Sequence, residues 1–547
     1  MSGERDIIAA IEAAEDAGPP EGRPISPLDR ACAGLLRNDL GNAERLIARF
    51  GDQLRYLPGL DWLAWDGRRW DSELGPLVAQ QKAQATSRAI YAEARAVEEA
   101  APDLADIRAR AMGAGADDKR ADQAAADARR QHSERVKALV AWACTSGNQG
   151  KVSAMLNEAM PHLVASPADF DSDPHVFNAA DKAVLLGREI RLRPHARADR
   201  CTLIGGTNAS AAIGAPCPAW TAFLERVQPD PEMRAYLQRL VGYCLTGSIQ
   251  EQVMFVFHGQ GRNGKSTFLK ALRAILGSYA VTAKTETFAA GEHMRSGQGA
   301  SPDVARLRAV RLVITTDTSA SFRLDEGLVK QATSEEPMVA RRLHREPVEF
   351  SPAFKLIIPC NQRPIIRGSD EGTWRRVQLV PWDQYISDAE VDRGLGAKLA
   401  AEAEGILGWA LEGAAAWYRR GLDAPEAVKA ATADYRETSD VVVEFMGATT
   451  ERVAATERVG ASALYDLYCH WSKANGLEPI SGTAFGKRLP MLGVQRVKSG
   501  GNNYYIGVRI VTQDASPNPP SGGEGLPETG RVCGYWVDGA WIDDHEP

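Results

Sequence analysis

Paired cysteine spacing is missing from this 547-residue chain: its eight cysteines (Cys32, Cys144, Cys201, Cys217, Cys244, Cys360, Cys469 and Cys533) are scattered, with no CxxC. That excludes a zinc module and a disulfide scaffold and fits a reducing compartment. No apolar run approaches the roughly 18 residues that cross a bilayer. The opening MSGERDIIAA has no secretory core either, so the expectation is a cytoplasmic protein with no membrane partner. A surplus of positive charge is also lacking. Lys and Arg total 64 against 71 Asp and Glu, a net charge of −7, which excludes a general nucleic-acid coat and leaves only local basic patches for such contacts. Internal repeats are absent, which excludes a solenoid.

The composition that is present, 44% hydrophobic and 25% charged, is that of a folded chain. Composition shifts divide it into seven stretches. Residues 1–75 hold a helical piece and a hairpin around Asp66-Gly67, with Trp62, Trp65 and Trp70 as core anchors. Residues 76–215 begin with an Ala/Arg/Asp/Glu-rich stretch, 78–145, which reads as long helices on a solvated arm, and continue with strand-like KAVLLG and EIRLRP. Two amphipathic helices around a Pro-Asp-Pro turn form a collar over 216–250. An α/β core over 251–385 is followed by a helical part over 386–455. A compact unit over 456–512 and a Pro/Gly/Ser-rich disordered tail over 513–547 complete the chain.

The strongest signal is VMFVFHGQGRNGKSTFLKALRAIL. A buried strand run leads into Gly259-Gln-Gly-Arg-Asn-Gly-Lys-Ser266, a full GxxxxGK[ST], and a helical pattern follows. Glycines let backbone N–H groups wrap phosphates, and the next helix turns its positive end toward them. Lys265 then reaches the outer phosphates and the Ser266 hydroxyl ligates Mg²⁺. Gly259, Gly261, Asn263, Gly264, Lys265, Ser266 and Thr267 are therefore the candidate residues for ATP.

Three further pieces choose among P-loop proteins. The apolar run Val310–Thr316 ends in Asp317, placed to hold Mg²⁺ or polarise the attacking water. A second run, Phe354–Cys360, ends in Asn361, whose amide can bond a γ-phosphate or lytic water. Finally Arg375 and Arg376 precede another strand and are candidates for a finger reaching a neighbour's site.

The succession GRNGKST … RLVITTD … LDEGLVKQ … ARRLHREPVEFSPAFKLIIPCNQRP … GTWRRVQLVPW resembles the superfamily 3 helicases, within them the phage and plasmid primase-helicases related to the poxvirus primase-helicase. The upstream WLAWDGRRW and AWTAFLERVQPDPEMRAYLQRLVGYCLTG are similar to the region before the motor in that family, so the resemblance spans roughly residues 40–510. It implies an AAA+-like ATPase core assembling as a hexamer around single-stranded or forked DNA in a bacterial host cell, with a separate primase or initiator as a further partner. Residue by residue it implies Walker A roles for Gly259, Gly264, Lys265 and Ser266. Asp317 stands where the family usually has Glu, with Glu326 as a weaker alternative base. Lys330, with Arg341 or Arg342, matches the additional basic motif, Asn361 the sensor, and Arg375 or Arg376 the arginine finger.

The family places a β-hairpin in the ring's pore, and Val339–Phe350 has that position, its basic tip near Arg342, His344 and Arg345. From Arg341 to Arg376 eight basic residues face four acidic ones, a local excess suited to tracking phosphates. In the C-terminal unit, ASALYDLYCHWSKANG, SGTAFGKRLPML and VQRVKSGGNNYYIGVRI give helix, helix, hairpin, the order of a winged helix. Lys487, Arg488, Arg496 and Lys498 are its candidate phosphate contacts. No DxD-type polymerase site or zinc knuckle stands in the first 200 residues. The expectation is thus a helicase without primer synthesis. Rival readings are an ATP-switched origin-binding or loading protein, a protein or duplex-DNA translocase, and a helicase-primase that retains priming.

Overall fold

The computed structural model describes residues 24–290, 302–316, 322–341, 347–366, 371–439, 441–454, 456–475, 477, 479–511, 534–537 and 540–543. The chain divides between residues 440 and 441 into two units.

In the first unit, helices α1 (Pro27–Cys32) and α2 (Asp39–Phe50) precede an antiparallel sheet of β1 (Leu54–Leu57), β2 (Asp61–Trp65) and β3 (Trp70–Asp71). The Asp-Gly turn joins β2 to β3: Asp66 Oδ1 accepts from the backbone N–H of Arg68 and Arg69, both at 2.7 Å. Trp62 and Trp70 are buried and Trp65 half-buried, as core anchors.

The solvated arm expected over 78–145 is corrected in its first third. Helix α3 (Gly75–Glu99) buries Ala79 and Ala83 in one cluster with residues of α2 and α6 (Gln149–Leu163). Its Ile90, Ala94 and Val97 form another with Leu139 and Ala143 of α5 (Asp118–Ser146). The alanines that make the segment look bland are small enough for helices to approach closely. A fully buried Arg45–Glu93 pair at 2.8 Å, joined by Arg49, ties α2 to α3. Only α4 (Leu104–Gly113) and the first turns of α5 fit the expectation of exposure. Residues 1–75 and 76–215 share this core, so packing shows no break at residue 75.

Short strands β4 (Val176–Asn178), β5 (Ala183–Leu185) and β6 (Arg191–Arg193) lead to α7 (Pro218–Val227) and α8 (Pro231–Leu245). The central sheet is parallel throughout, in the order β13–β7–β12–β9–β8. Its strands are β7 (Met254–His258), β8 (Ala280–Ala283), β9 (Leu312–Thr315), β12 (Lys355–Cys360) and β13 (Val377–Pro381). Strand β8 is an edge strand with three half-exposed residues, too weakly apolar to announce itself in the sequence. Between β9 and β12 the chain forms a hairpin of β10 (Met338–Arg341) and β11 (Pro347–Phe350).

Alternation along β7 splits the core. Phe255 and Phe257 join the cluster that includes residues of α7, α8, α9 (Lys265–Leu276) and α12 (Ala403–Arg420). Met254 and Val256 join the opposite cluster, with residues of α10 (Glu326–Ala332), α11 (Glu371–Trp374) and α13 (Glu426–Thr438). Helices α8 and α12 meet backbone to backbone: a Cβ on Gly242 would lie 2.0 Å from Ala414 N.

The second unit starts 15 residues earlier than the boundary expected at 455/456, because Val442 and Phe445 pack with Leu464, Tyr468 and Phe485. It contains β14 (Thr450–Arg452), α14 (Ala461–Ala474), α15 (Gly482–Met491) and a sheet of β15 (Arg458–Gly460), β17 (Asn502–Ile506) and β16 (Gln495–Ser499). Ser481 caps α15 by accepting from Ala484 N, and Gly500-Gly501, at φ 58° and 86°, closes the β16–β17 hairpin. The tail expected to be disordered lies outside the described residues, except that Gly534–Val537 pairs antiparallel with Ala540–Asp543. Among the described residues no helix is long and apolar enough to cross a membrane.

Candidate active site

The loop from Gly259 to Gly264 leaves the C-terminal end of β7 and delivers the chain into α9. Gly261 and Gly264 take φ of 92° and 87°, a left-handed region that favours glycine. Gly264 is doubly constrained, since a Cβ there would lie 2.7 Å from Val227 and 3.0 Å from Phe223 of α7. Gly259 is required for contact instead: its Cβ would fall 2.2 Å from the Trp382 carbonyl. Asn263 is buried and donates from Nδ2 to that same carbonyl at 3.0 Å. The collar helix thus backs the loop, and Trp220 of α7 stacks on Phe268 in α9 with centroids 5.4 Å apart.

Gly264 supplies no side-chain cap to α9, so the first-turn N–H groups of that helix are left for a ligand. Lys265 is 3% exposed, and its Nζ donates to Gly259 O at 2.6 Å and to Asn361 Oδ1 at 3.3 Å. Ser266 is exposed and Thr267 half-buried beside it. Parallel pairing of β7 with β12 puts His258 opposite Cys360, which is why Asn361 arrives at the loop. The His258 imidazole is pushed down from its ordinary pKa by burial, then by Arg363 and Lys265, so it stays neutral beside the cations.

The two adjacent arginines part company. Arg376 is 8% exposed, donating from Nε to Thr333 Oγ1 at 3.1 Å and from Nη1 to Gly372 O at 2.5 Å. Arg375 is exposed. It precedes β13, whose pairing sets Val377 opposite Met254 and Pro381 opposite His258. Arg375 therefore sits at the end of the sheet away from the loop, about 17 Å off at the rise of a strand.

Other expected site residues are dispersed or unseen. Asp317, Arg342, His344 and Arg345 lie outside the described residues. Lys330 is half-buried in the last turn of α10, and Glu326, at the start of that helix, accepts from Thr373 Oγ1 at 3.2 Å. The basic count over 341–376 overstates the charge available to a channel. Lys355 is buried at the start of β12, Arg376 is buried, and Arg363 pairs with Asp434 at 2.7 Å. In the second unit Lys487, Arg496 and Lys498 are exposed and Arg488 half-buried. Among the described residues no cluster of three metal-ligating side chains occurs. Sequence reading missed His258, Arg262 and Tyr385. His258 and Arg262 carried a positional signal, standing directly before and within the loop, and Tyr385 carried none.

Residues 43–229 match the family described as D5 N terminal like, and residues 257–376 match a family of unknown function. A 271-residue stretch is 30% identical to the provisionally named helicase L207/L206 of Acanthamoeba polyphaga mimivirus, covering 46% of this chain and 28% of that protein. The provisionally named helicase 022R of Frog virus 3 is 30% identical over 31% of this chain and 18% of its own length. Primase D5 of Fowlpox virus is 24% identical over 31% of this chain and 22% of its own. The chain thus spans less than a third of each viral relative. The apo C-terminal region of NrS-1 is similar in structure over 61% of this chain and 96% of its own, at 13% identity and a TM-score of 0.36.

Proposed function

From its membership of the D5-like primase-helicase family, we propose that this chain is an ATP-dependent DNA helicase of phage, prophage or plasmid replication, working as a hexameric ring of AAA+-like P-loop motors on single-stranded DNA. The observation that carries the reading is the meeting of Lys265 and Asn361 at the ends of adjacent parallel strands. Strand β12 lies between the P-loop strand and β9, so Asn361, at its end, comes beside the loop, which supports a sensor role toward the outer phosphate.

The residues present suit a nucleoside triphosphate: an uncapped helix start, a lysine within the loop, and glycines that give the loop its left-handed turns and close packing. Lys265 turns from Gly259 O toward the β- and γ-phosphates, and Asn361 orients the attacking water. Mg²⁺, held by Ser266 and Asp317, would draw charge from the outer phosphate oxygens. Arg375 is the arginine finger, because it is exposed and too far from its own loop to serve it. A neighbouring copy completes each site, which couples hydrolysis to subunit movement.

In such a ring the β10–β11 hairpin, between β9 and β12 in the chain, is the pore element that grips the backbone of DNA. The helix–helix–hairpin order of the second unit supports a winged-helix reading, with Lys487, Arg488, Arg496 and Lys498 toward phosphate. The test is strand displacement on forked DNA with ATP and Mg²⁺. Wild type should unwind, and Lys265→Ala should abolish unwinding while DNA binding survives. Wild type that hydrolyses no ATP and stays monomeric with ATP and DNA overturns the reading.

A further inference from the structure

The segment that leaves β13, Trp382–Glu390, runs along the phosphate loop and is fastened to it at several points. The Trp382 carbonyl accepts from Asn263 Nδ2 and packs on Gly259. Ile386 N donates to Arg262 O at 2.8 Å. The Arg262 side chain returns the contact: Nη1 donates to Tyr385 Oη at 3.2 Å and Nη2 pairs with Asp388 at 2.6 Å. Arg262 itself takes φ of 48°, a left-handed conformation uncommon for a residue with a side chain. The far end is tied to the collar, where Arg226 donates to Tyr385 O at 2.6 Å and to Glu390 Oε1 at 2.9 Å. Ser387, donating by N–H and hydroxyl, and Arg226 hold the Glu390 carboxylate at about 2, so the tie persists at neutral pH.

This fastening engages the Tyr385 hydroxyl but leaves its ring open. The Tyr385 side chain is 60% exposed, the only exposed Phe, Tyr or Trp among the described side chains. A triphosphate seated with its outer end toward Asn361 must send its nucleoside the other way. In the sheet order β13–β7–β12, the other way is the side of β13, over the segment that leaves it. We infer that Tyr385 stacks on the nucleoside base of the bound triphosphate, making Trp382–Glu390 the base-binding wall of the site. A purine presents a π-face on which an exposed tyrosine ring can stack. The inference rests on the ATPase reading and names a residue that reads the base instead of the phosphates.

The test measures affinity of the full chain for two probes, ATP and inorganic tripolyphosphate, which has no base. Tyr385→Ala should weaken ATP by about tenfold and leave tripolyphosphate unchanged. Tyr385→Phe, which keeps the ring and loses the hydroxyl contact with Arg262, should bind ATP like wild type. Unchanged ATP affinity in Tyr385→Ala overturns the inference. So does equal loss on both probes, which would make Tyr385 a mere support for Arg262. Wild type that fails to bind ATP would sink the ATPase reading itself, whereas wild-type binding matched by Tyr385→Ala sinks only the stacking.

Discussion

Lys265 and Asn361 stand 96 residues apart in the chain and 3.3 Å apart in space, the ammonium donating to the amide oxygen. Neither residue alone defines a chemistry. Together, beside the ends of neighbouring parallel strands, they would in the proposed ATPase put a cation and a water-orienting amide on the same reacting phosphate.

Asn361→Ala should therefore separate binding from turnover. Phosphate binding rests on the loop N–H groups and Lys265, so ATP affinity should stay within a few-fold of wild type. Losing one oriented polar group in the transition state should lower kcat by roughly 100-fold. Single-turnover ATPase alongside equilibrium nucleotide binding checks both numbers. Parallel loss of affinity and kcat would show that Asn361 holds Lys265 in place and does no more.

The paired arginines predict opposite phenotypes. Arg375 is exposed, so Arg375→Ala should leave Tm unchanged and abolish ATPase. Mixing it with Lys265→Ala subunits should restore part of the activity if the finger acts across an interface. Arg376 is buried and bonded to Thr333 and Gly372, so Arg376→Ala should destabilise by about 3 kcal/mol through a cavity and stranded acceptors. Thermal melts of the two variants distinguish these roles.

The sequence made the phosphate loop legible because strand, glycines and lysine are contiguous, and made β9, β12 and β13 legible because buried parallel strands are mostly apolar. It could not rank Arg375 against Arg376, since adjacent positions in the turn between α11 and β13 differ only in which side chain the fold covers. The burial of α3 was also hidden. Its alanines carry little hydrophobic signal, yet they allow close helix contact, and its polar Glu93 is matched by Arg45 from a helix 48 residues away. Tyr385 was silent because exposure of an aromatic is a property of the folded surface.

Lys355 gives a pH signature. It is buried at the start of β12, donating to Thr246 O and Ser248 O at 2.5 and 3.2 Å over the face of Tyr243. Burial pushes it from 10.5 down to about 7. Between those values the unfolded chain holds a proton that the folded chain has released, so unfolding free energy rises with pH across the window. Lys355→Met should flatten that rise, measured by denaturant melts from pH 7 to 10. An identical slope in the variant would assign the effect elsewhere.

The hairpin of the second unit offers the last test. Arg496 and Lys498 are exposed on β16, which pairs with β17 around Gly500-Gly501. If this hairpin grips the DNA backbone, each cation neutralises one phosphate and releases condensed counterions. Affinity for DNA should then fall with salt, and the slope of log K against log salt should shrink by about 1 for each of Arg496→Ala and Lys498→Ala. The loss should be equal on unrelated sequences, because phosphate contacts carry no base information. Measured without nucleotide on the 547-residue chain, a slope indifferent to both substitutions would make the hairpin a protein-docking element and leave DNA contact to the motor.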